Sequence, residues 1–251
     1  MVVPGLSGQG VRRFFVSAEA LHGDEVVFTP ETLQHLQVLR LRAGAEIELL
    51  DGHGEVCVVR IEQLERRSGV GRILSRRREV DSAFPVHLLQ GLPKGEKLEL
   101  VLQKGVELGV SRFTPLLSGR SVPRSKSSVA RHQRWQRVVQ EAARQSRRPE
   151  IPQLDEVCTL QAGVQQVEAP LRLMLWEEGA TPLREVLPEQ TPSGAAVLIG
   201  PEGGFAADEV EVAQAAGFVP VLFGPRILRT ETAGLAAATL LQYLYGDLNR
   251  T

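Results

Sequence analysis

The sequence has little of what disulfides, metal sites and membrane spans require. Only two cysteines, Cys57 and Cys158, occur in 251 residues, far apart and each in an apolar setting. They indicate small buried side chains in a reducing compartment rather than a disulfide. The five histidines form no close pair at ligand spacing, so we predict no metal site. No apolar run approaches the roughly 18 residues of a transmembrane helix, so we expect no membrane association.

The chain also lacks a strong net charge, which is −1 at pH 7. This net charge gives no overall attraction to nucleic acid, but the arginines are unevenly distributed along the sequence. They concentrate between residues 66 and 78 and again between 120 and 148, which predicts a local basic patch. Residues 1–10 have neither a basic start nor a sustained apolar core. We therefore expect a disordered tail rather than a signal peptide, and a cytoplasmic protein.

Short strands separated by tight turns fill residues 11–80, which predicts a small β-barrel domain. The clearest hairpin pairs residues 46–50 with 55–61 around Asp51-Gly52. A helix is expected to start at Thr29 as N-cap with Pro30 in its first turn. Its inner face would carry three leucines, Leu33, Leu36 and Leu39.

Composition changes at residues 81–85, a linker-like stretch. Beyond it, strands and helices alternate: a strand at 86–92, a helix from Glu96 to Leu108 and a strand at 110–117. This alternation predicts an α/β domain with a parallel sheet over residues 85–251.

Two glycine-rich loops stand out near the C-terminus. Apolar runs at 195–199 and 218–223 each stop at a Gly-Pro pair, and a helical pattern follows each loop, over Phe205–Ala216 and from Thr230 as N-cap. Such loops lie at the carboxyl edge of a parallel sheet, where α/β folds bind ligands. The other interpretation is two ordinary turns whose glycines serve only geometry.

The loop sequences exclude some ligands. Neither matches a dinucleotide or phosphate-binding fingerprint, and the charge of Glu202 would repel a phosphate. A carboxylate among glycines suits a ligand that carries hydroxyls, an amino group or a positive centre. Gly203 and Gly204 would let backbone groups approach a flat ring closely, so a valine at Gly203 is expected to block the ligand.

The two loop motifs, Leu-Ile-Gly-Pro-Glu-Gly-Gly from Leu198 and Gly-Pro-Arg-Ile-Leu-Arg-Thr-Glu-Thr-Ala from Gly224, resemble those of the RsmE family of ribosomal RNA methyltransferases. The resemblance covers nearly the whole chain, apart from the first ten or so residues and the 151–192 region. Its weaker upstream matches are Arg13, His35, Val38-Leu-Arg40, Lys94-Gly-Glu-Lys, Gln103-Lys104, Glu107-Leu-Gly and Trp135-Gln.

The resemblance implies an α/β protein of the SPOUT superfamily. Its C-terminal parallel-sheet domain would contain a trefoil knot, preceded by a small PUA-like β-barrel that binds RNA, and the protein would form a homodimer. It also implies methyl transfer from S-adenosylmethionine to N3 of a uridine in 16S rRNA of the small ribosomal subunit.

The same resemblance implies two sets of site residues. Leu175 and Trp176 would line the adenine side of the cofactor, although a core role is equally compatible with their pattern. The cofactor-binding residues would be Leu175, Trp176, Ile199, Gly200, Glu202, Gly203, Gly204, Leu222, Gly224, Ile227, Leu228, Thr230 and Ala233. For the RNA surface the resemblance includes Arg13, His35, Arg40, Lys94 and Lys104, and Arg120 and Arg137 join these candidates as members of the arginine-rich stretch between 120 and 148.

Methylation of uracil N3 needs help because that nitrogen carries a proton at neutral pH. A cation must stabilise the anion, or a base must take the proton. Arg229 is the candidate cation, and Glu231 or Glu202 the candidate base. Cofactor binding or helix capping would explain both glutamates equally well.

Two other functions remain compatible with the sequence. In one, the protein is a non-catalytic RNA-binding ribosome-assembly factor whose glycine loops are inert turns. In the other, it is an α/β enzyme that uses a nucleotide such as NAD, against which the missing dinucleotide turn counts.

Overall fold

The structure is a computed structural model that describes residues 12–120, 128–178 and 180–249. The expected tail, residues 1–10, lies outside these ranges. The chain divides into two compact units. Unit 1 runs to Asp81 and includes Arg147–Glu150, and unit 2 holds Ser82–Ser146 and the chain from Ile151 onward.

Unit 1 is a mixed β-sheet with one helix. Its order is β1 (Arg13–Phe15), a short 3-10 helix (Ala18–Leu21), β2 (Glu25–Val27), α1 (Pro30–Val38), β3 (Glu46–Leu50), β4 (Glu55–Leu64) and β5 (Gly69–Arg78). The strands pair in the order β1-β3-β4-β5-β2. Only the β1–β3 pair is parallel. Among the described strands, β1 and β2 stand at the two ends of this order, and the predicted small β domain of short strands is confirmed.

The predicted hairpin is confirmed, since Glu46 lies opposite Arg60 and Leu50 opposite Val56. Its turn is organised by the carboxylate of Asp51, which accepts from the backbone N–H of His53 at 2.7 Å and of Glu55 at 3.0 Å. An Asx-type bond of this kind fixes the turn locally. The register that follows places alternate side chains in the core.

Helix α1 begins as predicted. Thr29 Oγ1 accepts from the N–H of Thr32 at 3.2 Å, and Pro30 occupies the first turn. Leu33 and Leu36 are buried, but Leu39 is 37% exposed. The prediction for Leu39 was therefore wrong, because the helix ends at Val38 and its periodicity no longer applies beyond that residue.

Unit 2 is a parallel sheet with helices. The elements are β6 (Val86–Gly91), α2 (Lys97–Glu107), β7 (Val110–Leu117), α3 (Ser128–Gln145), β8 (Gln153–Leu154), β9 (Cys158–Thr159), α4 (Leu160–Gln165), β10 (Leu171–Leu175), β11 (Thr181–Pro182), α5 (Leu183–Val186), β12 (Ala195–Ile199), α6 (Ala207–Ala215), β13 (Val219–Leu222) and α7 (Thr230–Leu244). The strand order is β11-β13-β10-β12-β6-β7-β8, with β9 also pairing β7.

Every described pair in this sheet is parallel. Strand β12 lies between β10 and β6, and all five of its residues are buried. That burial explains its continuous apolar run, since both faces of a parallel sheet are covered. Strand β10 pairs in parallel with both β12 and β13, so the carboxyl ends of these three strands lie at one edge of the sheet. The loops after them therefore converge.

Three helices have boundaries that differ from the sequence expectation. Helix α2 is shorter by one residue at each end, and α6 runs over Ala207–Ala215 with Ala206 as its N-cap residue. Helix α7 has Arg229 as its N-cap residue, with Thr230 already helical. Thr230 does not cap because its hydroxyl donates instead to the carbonyl of Gly200, 2.6 Å away.

Within the described ranges, no helix is long and apolar enough to cross a bilayer. The same ranges contain no group of three or more metal-ligating side chains. Both cysteines are free thiols, and burial raises the pKa of Cys57 to about 11 and that of Cys158 above its usual value.

A buried histidine makes the stability of unit 2 depend on pH. His87 is 8% exposed and its Nε2 lies 2.7 Å from the hydroxyl of Thr114, which also bonds Asp155. Burial and then the charge of Arg112 lower the pKa of His87 to about 4, against an opposing effect of Asp155. Below pH 6.5 the unfolded chain therefore binds a proton that the folded chain refuses.

We expect the free energy of unfolding to fall by about 3 kcal/mol between pH 6.5 and pH 4 through His87 alone. Denaturant unfolding at stepped pH measures it. The matched variant His87→Gln cannot ionise, so its curve should be flatter by that amount. Parallel curves for the two proteins would show that the pKa of His87 is the same in the folded and the unfolded chain.

Candidate active site

A cavity of about 650 Å³ lies where β10, β12 and β13 end. Its walls are the residues after β12, the residues after β13 and the start of α7. Twelve of the thirteen residues that the resemblance assigned to cofactor binding line it: Leu175, Trp176, Ile199, Gly200, Glu202, Gly204, Leu222, Gly224, Ile227, Leu228, Thr230 and Ala233. Residues as far apart in sequence as Leu175 and Ala233, 58 positions, thus line one cavity.

Gly203 does not line this cavity. Its carbonyl accepts from Arg120 at 2.8 Å, and a Cβ added there would meet the side chain of Arg120. The glycine that needs its freedom is Gly204, whose φ of +67° is left-handed. A Cβ on Gly204 would lie 3.6 Å from the Trp176 ring. The steric block expected at Gly203 therefore belongs to Gly204.

The carboxylate of Glu202 is tethered to the start of α2. It accepts from the backbone N–H of Lys94 at 3.0 and 3.2 Å and from Lys97 Nζ at 3.1 Å. Burial raises the pKa of Glu202, but these bonds and its own backbone N–H outweigh that effect and hold the pKa below its usual 4.5. A carboxylate in this state accepts a proton poorly.

The other two catalytic candidates lie at the second loop. Arg229 lines the cavity with its side chain 83% exposed, and its guanidinium is 4.0 Å from Glu231. The side chain of Glu231 is 13% exposed and does not line the cavity. It lies 3.3 Å from Lys97 Nζ.

Two buried hydrogen bonds connect the loop after β12 with the start of α7, next to strand β6. Gln90 Nε2, on β6, donates to Thr230 Oγ1 at 2.8 Å, and Thr230 Oγ1 donates to the carbonyl of Gly200 at 2.6 Å. Gln90 is 1% exposed and Thr230 6%. Thr230 therefore links the first loop to α7.

Sequence reasoning missed Lys97 and Gln90. Lys97 was within the motif Lys94-Gly-Glu-Lys, but only Lys94 was assigned to the site. Gln90 was visible as a polar residue in a buried strand, a placement that requires a partner. Which partner it has depends on contacts 140 residues away, and no local pattern encodes them.

The RNA-binding candidates differ in availability. Arg13 is engaged by Glu48, Glu79 and the carbonyl of Arg147, and Lys104 by Glu107. Their charges are thus compensated within the fold. Arg40, Lys94 and Arg137 are exposed, and His35 is half-buried with its ring near Phe14.

Ion pairs in the fold compensate part of the positive charge of the arginine-rich stretch 66–78. On β5, Arg72 pairs with Glu62, Arg76 with Glu55, and Arg77 with Glu48 and Glu79. Glu55 and Glu62 lie on the neighbouring strand β4, Glu48 on β3 and Glu79 directly after β5, so the linear cluster of charge overstated the patch for these three arginines.

A second cavity, of about 730 Å³, shares Pro201 and Glu202 with the first. Apolar residues, three glutamates (Glu96, Glu99 and Glu202) and four cationic side chains line it: Lys94, Arg120, Arg131 and Arg134. Arg134 is paired with Glu96 and Glu99, which leaves Lys94, Arg120 and Arg131 as the cations for a ligand. The guanidinium of Arg131 lies over the ring of Trp135 at 5.2 Å. Cation and apolar wall side by side suit a nucleotide better than an apolar ligand.

The chain is similar to known RNA methyltransferases over most of its length. Residues 80–242 match the RNA methyltransferase domain, and residues 28–74 match the RNA methyltransferase PUA domain. The chain is 34% identical over 238 residues to ribosomal RNA small subunit methyltransferase E of Synechocystis, covering 92% of this chain and 77% of that protein. It is 32% identical to the Bacillus subtilis protein of the same name, covering 93% and 96%.

The fold is shared with solved structures as well. The ribosomal RNA small subunit methyltransferase E of Neisseria gonorrhoeae, bound to S-adenosyl methionine, superposes with a TM-score of 0.85 at 33% identity. The match covers 95% of this chain and all of that one. The architecture is thus a PUA-like β unit followed by the parallel sheet of SPOUT methyltransferases. The chain belongs to the ribosomal RNA small subunit methyltransferase E family.

Proposed function

We propose that the protein transfers a methyl group from S-adenosylmethionine to N3 of a uridine in 16S rRNA of the small ribosomal subunit. The observation that supports the proposal is that both glycine-loop motifs line the same cavity, at the carboxyl edge of the sheet. If the glycines only allowed the chain to turn, nothing would require the two loops to lie against one cavity. This favours the enzyme over the assembly factor.

The residues of the cavity fit this cofactor. Leu175, Ile199 and Leu222 offer apolar walls for a flat base, and Gly204 brings backbone close without a side chain. The carboxylate of Glu202 is paired with Lys97, and its oxygens lie in the cavity wall as hydrogen-bond acceptors for hydroxyls. When bound, S-adenosylmethionine supplies an electrophilic methyl group on a sulfonium.

The acceptor base needs its N3 proton removed. Glu202 accepts a proton poorly, because its pKa is lowered and its oxygens already accept three hydrogen bonds. Glu231, the other candidate base, also faces Lys97 Nζ and does not line the cavity. We therefore propose that the main help comes from a cation that stabilises the anion of the base. The exposed guanidinium of Arg229 at the mouth of the cavity is placed to stabilise negative charge on O2 or O4 of the base.

The RNA would contact several basic residues. We propose Arg40, Lys94, Arg120 and Arg137 as the main contacts, with His35 beside them, and a smaller share for Arg13 and Lys104 because both are paired. We further propose residues 11–80 as an RNA-binding domain and 85–251 as the methyltransferase domain, with a trefoil knot, in a cytoplasmic homodimer.

The decisive experiment incubates small-subunit rRNA, free and within subunits, with the purified protein and isotope-labelled S-adenosylmethionine. We expect nucleoside mass spectrometry to find the label in 3-methyluridine. Label in another nucleoside would contradict the N3 assignment. No label and no heat of cofactor binding, with RNA binding that weakens as salt rises, would instead establish the assembly factor.

A further inference from the structure

Lys97, in the first turn of α2, lies between two carboxylates. Its Nζ lies 3.1 Å from Glu202 Oε1 and 3.3 Å from Glu231 Oε2, so one ammonium group faces two carboxylates. One of these belongs to the loop after β12 and the other to the first turn of α7. Lys97 also lines the cofactor cavity.

We propose that Lys97 is a positioning residue that holds the two cofactor loops together by bridging Glu202 and Glu231. The proposal rests on the function proposed above. It adds a residue to which that function had given no role.

Two carboxylates that face each other repel unless a cation lies between them. The ammonium of Lys97 removes this repulsion and adds attraction to each loop. Its own pKa is raised, by the hydrogen bond to Glu202 first and by Glu231 as well, against a lowering by burial. It therefore stays charged across the working range of pH.

The bridge is independent of the other link between the loops. Gln90 and Thr230 join the loops through the buried Gly200 carbonyl, whereas Lys97 joins them through side chains at the cavity wall. Rigid loops lower the entropy cost of ligand binding. Loss of the bridge should hence weaken donor binding even though the fold retains its buried link.

The test compares Lys97→Met and Lys97→Arg by calorimetry with S-adenosylmethionine. We expect the methionine variant to bind the donor about tenfold more weakly. Arginine restores a cation that reaches both carboxylates, so it should remain within about threefold of wild type. Arg184→Met removes an exposed charge elsewhere in unit 2 and should leave affinity unchanged.

A double-mutant cycle with Glu231→Gln separates bridging from general damage. If the bridge operates, Lys97→Met should cost much less in the Glu231→Gln background than in wild type. Additive losses, unchanged affinity or tighter binding in Lys97→Met would each overturn the proposal. A wild-type protein that binds no S-adenosylmethionine would instead refute the proposed function, so the two failures are distinguishable.

Discussion

Gly204→Val is expected to weaken S-adenosylmethionine binding by at least about a hundredfold, because the change adds a side chain in the cavity and strains the backbone. Gly204 has a φ of +67°, a region that β-branched residues avoid. Its added Cβ would point to within 3.6 Å of the Trp176 ring, another wall of the cavity. Titration calorimetry with the purified variant measures the loss.

Gly23→Val is the matched control. Gly23 has a φ of +81° and nothing lies within 4 Å of an added Cβ, so this variant carries the backbone strain without the steric block. It lies in unit 1. We expect it to lower the melting temperature but to bind the donor normally. Equal donor affinity in Gly204→Val and wild type would remove the cofactor from this cavity.

Thr230→Val is expected to lower the free energy of unfolding by about 2 kcal/mol and to weaken donor binding. Valine keeps the shape of threonine but loses the hydroxyl. The carbonyl of Gly200 then loses the donor it has at 2.6 Å, and Gln90 Nε2 loses one of its acceptors. Because both groups are at the buried link between the loops, the geometry of the cavity should relax as well. Urea unfolding and calorimetry measure the two effects.

Thr239→Val provides the comparison on the same helix. Its hydroxyl donates to the carbonyl of Leu235 at 2.8 Å from an exposed position. Loss of that bond leaves only groups that water can reach, so stability should change by no more than a few tenths of a kcal/mol. If the two variants behaved alike, the buried link at Thr230 would have no special role.

These experiments address different levels of the site. Gly204 tests where the cofactor lies, Thr230 and Lys97 test how the loops are held together, and the rRNA assay tests what the site does. The distinction matters because Glu202, the most conspicuous charged residue of the motif, has its carboxylate engaged by Lys94 and Lys97. We therefore propose that Glu202 shapes the loop rather than accepts a proton.

The local elements and the positions of the two loops could be predicted from the sequence. The hairpin at Asp51 and the start of α1 at Thr29 follow from side chains that bond their own neighbours, and such signals are contained in a few residues. The same is true of the strands that stop at Gly-Pro pairs. The family resemblance then identified twelve cofactor-binding candidates and Arg229 among the 21 residues that line the cavity.

How those residues act could be read only from the folded chain. It directs the carbonyl of Gly203 to Arg120, pairs Arg72 and Arg76 of β5 with carboxylates of β4, and brings Lys97 between Glu202 and Glu231. Each outcome depends on which elements become neighbours, and the partners of Gly203 and Lys97 are more than 80 residues away in the chain. Whether a charge is free or compensated is set by which elements the fold brings side by side, and that information is absent from any single stretch of sequence.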